Sequence, residues 1–463
     1  MRAEPDKTEG AEESRLNAVS DIKSLFLFVL PAIIIYVFNG FYSAVDGAFI
    51  EEFQGPYAIA AVNLYYPVLN LALAIGLMIG SGGAVALASL EGKKEHETAN
   101  GLFTQLILVT AALGVIIAVI GNVFSDQIVV WLGASEGNRH FFIPYYRVMV
   151  TCSPILVFTA ILTPLFFAEG KTVEIAVSAV IGGVLNMLLD YVFMGPLKLG
   201  IAGAAAATMI GCSVLCIYAL FFYLHIGGRG SSFRFRLMKP MPKRILVALY
   251  NGSSEMVTNL AGAVTALVMN RLAYSFFREA GVSVVSVYLY VQFMIMAVFM
   301  GTASAMEPLI SYHYGAGNFE RGRKIYRLGM LLVTIFTVVL FVIVSLFHAD
   351  IAGIFFQPTG ERRAFYELGA ESLAIVAPAC LFTGYNIYIC GLFTAYGNGT
   401  VSAVLSVLRT LVFLLASLYL LSYFWSAQGL WLSWLGAEVP SLIVSLLFLF
   451  KYRAKYRLKR GQQ

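Results

Sequence analysis

The chain has 463 residues, of which 59% are hydrophobic and 12% charged, and its mean hydropathy is +0.80. Soluble domains carry about 25% charged residues, and so few polar groups cannot cover a soluble exterior. The composition excludes a soluble enzyme, a disordered scaffold and a disulfide-rich secreted domain, and leaves an integral membrane protein. The formal net charge of +5 matters less than where the positive charges lie.

Residues 1–23 are polar and of mixed charge. They lack the basic start, short apolar run and small-residue cleavage site of a signal peptide and read as a cytoplasmic tail. Six apolar segments follow at 24–50, 57–90, 100–124, 141–168, 172–194 and 199–224, forming a first lobe over 24–224. The stretch 225–244 is a basic cytoplasmic linker with Arg229, Arg234, Arg236, Lys239, Lys243, Arg244, Pro240 and Pro242. Six more segments, 245–275, 281–312, 325–347, 364–393, 400–424 and 429–450, form a second lobe over 245–450, and 451–463 is a basic cytoplasmic tail. Each segment reaches the roughly 20 residues a bilayer span requires. The two longest, 57–90 and 281–312, are expected to tilt or overhang.

Positive charge orients the chain. With the N-terminus inside, 23 of the 31 lysines and arginines fall on the inner side and five outside. The five are Arg139, Lys198, Arg278, Arg362 and Arg363, while Arg147, Arg271 and Arg409 lie within spans. Both termini are therefore expected in the cytoplasm.

The halves echo one another. Phe167–Gly170 matches Thr394–Gly397 at an offset of 227, Pro154 matches Pro378 at 224, and Gly80-Ser81 matches Gly301-Thr302 at 221. Six spans per half bring both repeats into the membrane in the same orientation. The expected fold is all-α, with twelve transmembrane helices in two six-helix lobes related by a pseudo-two-fold axis along the membrane normal. A substrate site would lie between lobes that rock.

Ionisable groups at membrane depth are costly and mark function. Asp190 lies ~27 Å above the inner start of span 5, and Asn186 is one turn below it on the same face. Thr208 is ~14 Å below the outer start of span 6, and Asp46 is near the outer end of span 1. The four can share the outer half of one lobe. Two neighbouring carboxyls with amide and hydroxyl oxygens suit a proton carrier or a small hard cation such as sodium. Asp46 also reads as a solvated helix-end acid, since Glu51 and Glu52 follow. In span 7, Glu255 sits ~15 Å from the inner side among Asn251, Ser253, Ser254, Thr258 and Asn259, a surface for a cavity or a buried carboxyl. Glu307, before Pro308, reads as structural; Arg147 and Arg409 can snorkel; Glu438 has no evident partner.

Prolines 31, 67, 154, 164, 308, 378 and 440 lie within spans and can kink them. Span 8 carries Tyr288, Tyr290, Phe293, Met294, Met296, Phe299 and Met300, a surface for apolar or cationic ligands or a packed stripe. Cys152, Cys212, Cys216, Cys380 and Cys390 all fall in spans, so no disulfide or metal site is expected. The five histidines show no ligand spacing. A Walker A sequence is missing, Gly315-Ala316-Gly317 is a loop turn, and the basic loops suit an anionic membrane surface rather than nucleic acid.

Several motifs together resemble the multidrug and toxic compound extrusion (MATE) family. They are Tyr42-Ser43-Ala44-Val45-Asp46-Gly47, Asn186 with Asp190, Gly203-Ala204 with Ala207-Thr208, Pro308–Gly317, and the Gly170 and Gly397 loops. The resemblance runs over about 24–450 and is nearest the bacterial branch related to the DNA-damage-inducible F protein. It implies a V-shaped cavity and cation-coupled antiport of amphipathic, often cationic, drugs across a bacterial inner membrane. It assigns the coupling proton or sodium to Asp46, Asn186, Asp190 and Thr208, and Glu255 to a second-lobe acid site. Tyr42, Tyr288, Phe293 and Met294 are the substrate-cavity candidates. No catalytic residue, no resident cofactor and a monomer are expected. The rival within the superfamily is a lipid-linked precursor flippase, which needs a cavity lined by arginines or lysines. A membrane transferase would need an acidic interfacial loop that the sequence lacks, and a channel would not need the repeat.

Overall fold

The structure is a computed structural model that describes residues 15–132, 136–226, 231–356, 358–359 and 363–458. The expected tail residues 1–14, linker residues 227–230 including Arg229, Arg362, and tail residues 459–463 lie outside the described residues.

The apolar segments are helices. Span 1 is Ile22–Gln54, span 2 Pro56–Gly92 and span 3 His96–Val123. A short helix, Ser125–Trp131, precedes span 4, which is built from Glu136–Thr151 and Ser153–Ala168. Span 5 is Thr172–Met194, and span 6 is Gly200–Phe221 with a wider last turn, Phe222–Ile226. Span 7 joins Pro242–Asn251 to Ser253–Arg278, and span 8 is Ala280–Gly315. Span 9 is Phe319–Phe355. Span 10 runs Arg363–Val376, turns tightly through Ala377–Ala379 and resumes as Cys380–Ala395. Helix Gly399–Tyr452 holds spans 11 and 12, which part at Trp425 and Ser426, where the backbone leaves helical angles. The even count puts both described ends on one side of the bundle, the terminal side; the other is the distal side.

The repeat is written in the backbone. Gly55 and Arg278 (φ 81° and 55°) turn spans 1–2 and 7–8, and Lys94 and Gly317 (62° and 69°) turn spans 2–3 and 8–9. Gly170 and Gly397 (both 70°) turn spans 4–5 and 10–11, and Lys198 and Ser426 (both 49°) turn spans 5–6 and 11–12. Left-handed backbone is rare away from glycine, so four pairs at offsets of 223 to 228 reflect one shared template. The matched prolines behave alike. Pro154 opens the second half of span 4 after a 55° bend, and Pro378 sits in the tight turn of span 10. Each lacks the N–H a continuous helix needs.

Parts of the stretches expected as a basic linker and a basic tail are docked straps. Along span 3, the amides of Arg234 and Arg236 donate to Asn100 Oδ1 (2.7 Å) and Thr104 Oγ1 (2.8 Å). Arg236 also pairs with Glu97 at 2.8 Å. Phe233 is buried against Phe103. In the loop after span 4, Glu169 accepts from Ser231 Oγ (2.5 Å) and from the amides of Ser232 (2.8 Å) and Phe233 (3.2 Å). The segment after span 12 does the same in the second half. Tyr456 stacks on Tyr396 at 4.3 Å, and its hydroxyl accepts from Asn398 Nδ2 at 2.8 Å.

One apolar core runs through both halves, from Leu25, Phe103 and Phe166 to Leu309, Tyr388 and Trp431. A second core, with Tyr65, Phe142, Tyr146 and Met209, belongs to the first half alone, at its distal end. The closest approaches between halves lie on the terminal side. A Cβ at Gly82 would collide with Ala248 O, one at Gly252 with Met78 O, and one at Gly315 with Ser89 O. Toward the middle, span 1 packs on span 8 where Gly40 faces Phe293 and Met294. The lobes therefore meet on the terminal side.

Candidate transport sites in the two lobes

Span 1 carries Asp46 from this seam to the face of span 5 that bears Asp190, and the two carboxyls stand within interaction distance. Asp190 is fully buried and Asn186 is 2% exposed. Asn186 Nδ2 donates to Thr208 Oγ1 at 3.4 Å, and Thr208 is steadied by a 3.1 Å bond to Ala204 O. Spans 1, 5 and 6 thus bring Asp46, Asn186, Asp190 and Thr208 together. Asp46 Oδ1, Asn186 Oδ1 and both carboxyl oxygens of Asp190 are buried and meet no donor among the described residues. A buried acceptor left unmatched is costly, and four of them fit a group that a proton or a small hard cation completes. Tyr145 faces both acids and Tyr66 faces Asp46, neighbours that sequence order gave no means of finding.

A cavity of about 460 Å³ opens beside this group, lined by Asn39, Tyr42, Thr159, Thr163, Cys212 and, again, Asn186 and Thr208. Gly182 and Gly211 make it by letting spans 5 and 6 touch backbone to backbone, since a Cβ at either would press on the other's carbonyl.

The second lobe holds a cavity of about 420 Å³ lined by Glu255, Thr258, Met296, Met300, Glu307 and Arg409 among others. Arg409 does not snorkel. Its Nε and Nη2 reach Glu438 Oε1 at 2.9 and 2.8 Å. Glu438, without an evident partner in the sequence, is thus held by Arg409, by Trp434 Nε1 (2.9 Å) and by Asn386 Nδ2 (2.6 Å). A buried charge has to be paired, and this pair arises because spans 11 and 12 run side by side. Glu255 lies within electrostatic reach of Arg409. Glu307, read as structural, lines the same cavity and accepts from Ser81 Oγ at 2.8 Å.

Of the four substrate-cavity candidates, Tyr42 lines the first-lobe cavity. Tyr288 lines neither of the two cavities described. It is 2% exposed, packs tilted against Trp431 and donates to Trp431 O at 3.3 Å, so it belongs to the shared core. Phe293 and Met294 lie between spans 8 and 1 against Gly40.

Two lobes of six helices, an internal repeat and ionisable groups buried within the bundle point to a membrane transporter, not an enzyme. The comparisons agree. The family profile described as MatE matches residues 31–192 and 254–420. The multidrug export protein MepA of Staphylococcus saprophyticus is 23% identical over 445 residues, 96% of each chain. A MATE transporter solved in complex with MaL6 superposes with a TM-score of 0.90 at 21% identity, covering 97% of this chain and 100% of that one. An outward-facing multidrug resistance MATE transporter superposes at 0.89 and 21%, covering 97% and 99%. The chain belongs to the MATE family of multi-pass membrane transporters.

Proposed function

We propose that the protein exports amphipathic, mainly cationic, drugs across a bacterial inner membrane in exchange for protons or sodium. The observation that carries this reading is that Asn186 and Thr208 belong at once to the acid group around Asp190 and to the wall of the first-lobe cavity. An ion that draws those oxygens inward changes the surface offered to a drug, so the two compete. A ligand shifts a conformational equilibrium only through its different affinity for the two states, and competition supplies that difference. The excess of basic residues on the terminal side favours a cytoplasmic location for both termini. The lobe contacts on that side then make this the state open to the outside. MepA, similar along nearly its whole length, is a multidrug export protein. A lipid-pyrophosphate flippase is less well supported, because Arg409 is already committed to Glu438.

The test is efflux of ethidium from proteoliposomes under a proton gradient or a sodium gradient imposed separately. Transport driven by either gradient supports the antiporter. No movement under either contradicts it and turns attention to lipid-linked substrates.

A further inference from the structure

One face of span 8 fastens the lobes together. Ser304, Glu307 and Ser311 are spaced so that they share a helix face. Ser304 Oγ bonds Tyr36 Oη of span 1 at 2.9 Å, Glu307 Oε2 accepts from Ser81 Oγ of span 2 at 2.8 Å, and Ser311 Oγ donates to Val85 O of span 2 at 2.8 Å. All three bonds cross between lobes. Ser81, Glu307 and Ser311 are buried, at 5%, 3% and 1% exposure. Of these three span 8 side chains, Glu307 alone can carry charge, and its carboxyl also forms a wall of the second-lobe cavity.

We infer that Glu307 is a positioning residue that ties the state of the second-lobe cavity to closure of the terminal side. A hydroxyl bond to a carboxylate is about twice as strong as one to a neutral acceptor. A proton or small monovalent cation that neutralises Glu307 from the cavity therefore weakens its hold on Ser81 and loosens the seam. The charged and titratable groups facing Glu307 are Glu255 of span 7, Tyr36 of span 1, Cys390 of span 10, and Arg409 of span 11. Arg409 is shared between Glu438, to which it bonds, and Glu255, which it reaches electrostatically, so among these groups the acids outnumber the cations, the condition under which an entering cation acts. The inference rests on the alternating-access reading, but its test reads the seam and not transport, so the two fail separately.

The experiment is amide hydrogen exchange of the purified full-length protein, followed in peptides covering 78–89 and 305–315. One arm steps pH at constant sodium, and the other steps sodium at constant pH. Labelling times are scaled for the intrinsic pH dependence of exchange. In the wild type, one arm raises seam exchange roughly fivefold, the difference between a charge-assisted and a neutral bond. Glu307→Gln shows that faster exchange at every pH and sodium level, and Glu307→Asp restores the response. Ser81→Ala loosens the seam from the other side and, combined with Glu307→Gln, adds nothing further. Absence of a wild-type response in both arms overturns the inference. So does a Glu307→Gln protein that keeps the wild-type response, which would mark the residue as merely structural.

Discussion

The guanidinium of Arg409 on span 11 meets the carboxylate of Glu438 on span 12 at 2.8 Å, both side chains nearly out of contact with solvent. Removing one partner leaves the other charged and buried, which costs about 3–5 kcal/mol. Glu438→Gln is expected to lower the unfolding temperature of the detergent-solubilised protein markedly. Replacing the pair together, by Arg409→Met with Glu438→Leu, should cost much less, since a well-packed apolar pair is often neutral. Thermal unfolding followed by tryptophan fluorescence checks both.

Glu169 sets the pH behaviour of the linker strap. Burial is the largest influence on its carboxyl and pushes it up to about 7, against the pull of Ser231, Ser232, Phe233 and Lys171. Because this raised value belongs to the docked state, that state binds a proton more tightly than the released chain does. Docking is thus strengthened as pH falls from about 7 toward the ordinary carboxyl value near 4.5, and it weakens as pH rises through 7. Cleavage at the strap by a protease active across this range should be slower at pH 6 than at pH 8. Glu169→Gln should abolish the difference.

The terminal-side seam depends on glycine where helices touch backbone to backbone. A side chain at Gly82 would overlap Ala248 O, and one at Gly252 would overlap Met78 O. Gly82→Val is expected to leave the protein folded in the membrane but to prevent closure on that side. Ethidium efflux should then fall roughly five- to 150-fold, the scale of an overpacking cost of about 1–3 kcal/mol. Efflux measured against the amount of reconstituted protein checks this.

The spans were legible because a bilayer imposes a simple rule on composition. Span 5, expected at 172–194, is the helix Thr172–Met194. The repeat was legible at Pro154/Pro378 and Gly170/Gly397, where backbone geometry restricts the residue. The turn pairs Lys94/Gly317 and Lys198/Ser426 were hidden, because only one member or neither is glycine. Helix rise and direction allowed Asp46, Asn186, Asp190 and Thr208 to share the outer half of one lobe, and the family resemblance grouped them as one site. What could not be read were contacts between spans distant in sequence. Arg409 with Glu438 and Ser81 with Glu307 depend on which helices become neighbours. The docking of the strap 231–241 was not legible in the basic linker because its partners, Asn100, Thr104 and Glu169, sit in other segments.

In the proposed antiport, the acid group of the first lobe and the adjoining cavity are occupied in alternation. The most direct measurement is the affinity of the purified protein for ethidium by fluorescence anisotropy, titrated with protons and, separately, with sodium. One ion is expected to weaken ethidium binding competitively in the wild type, and Asp46→Asn with Asp190→Asn is expected to remove this effect while ethidium still binds. Undiminished competition by the same ion in the double variant would contradict it.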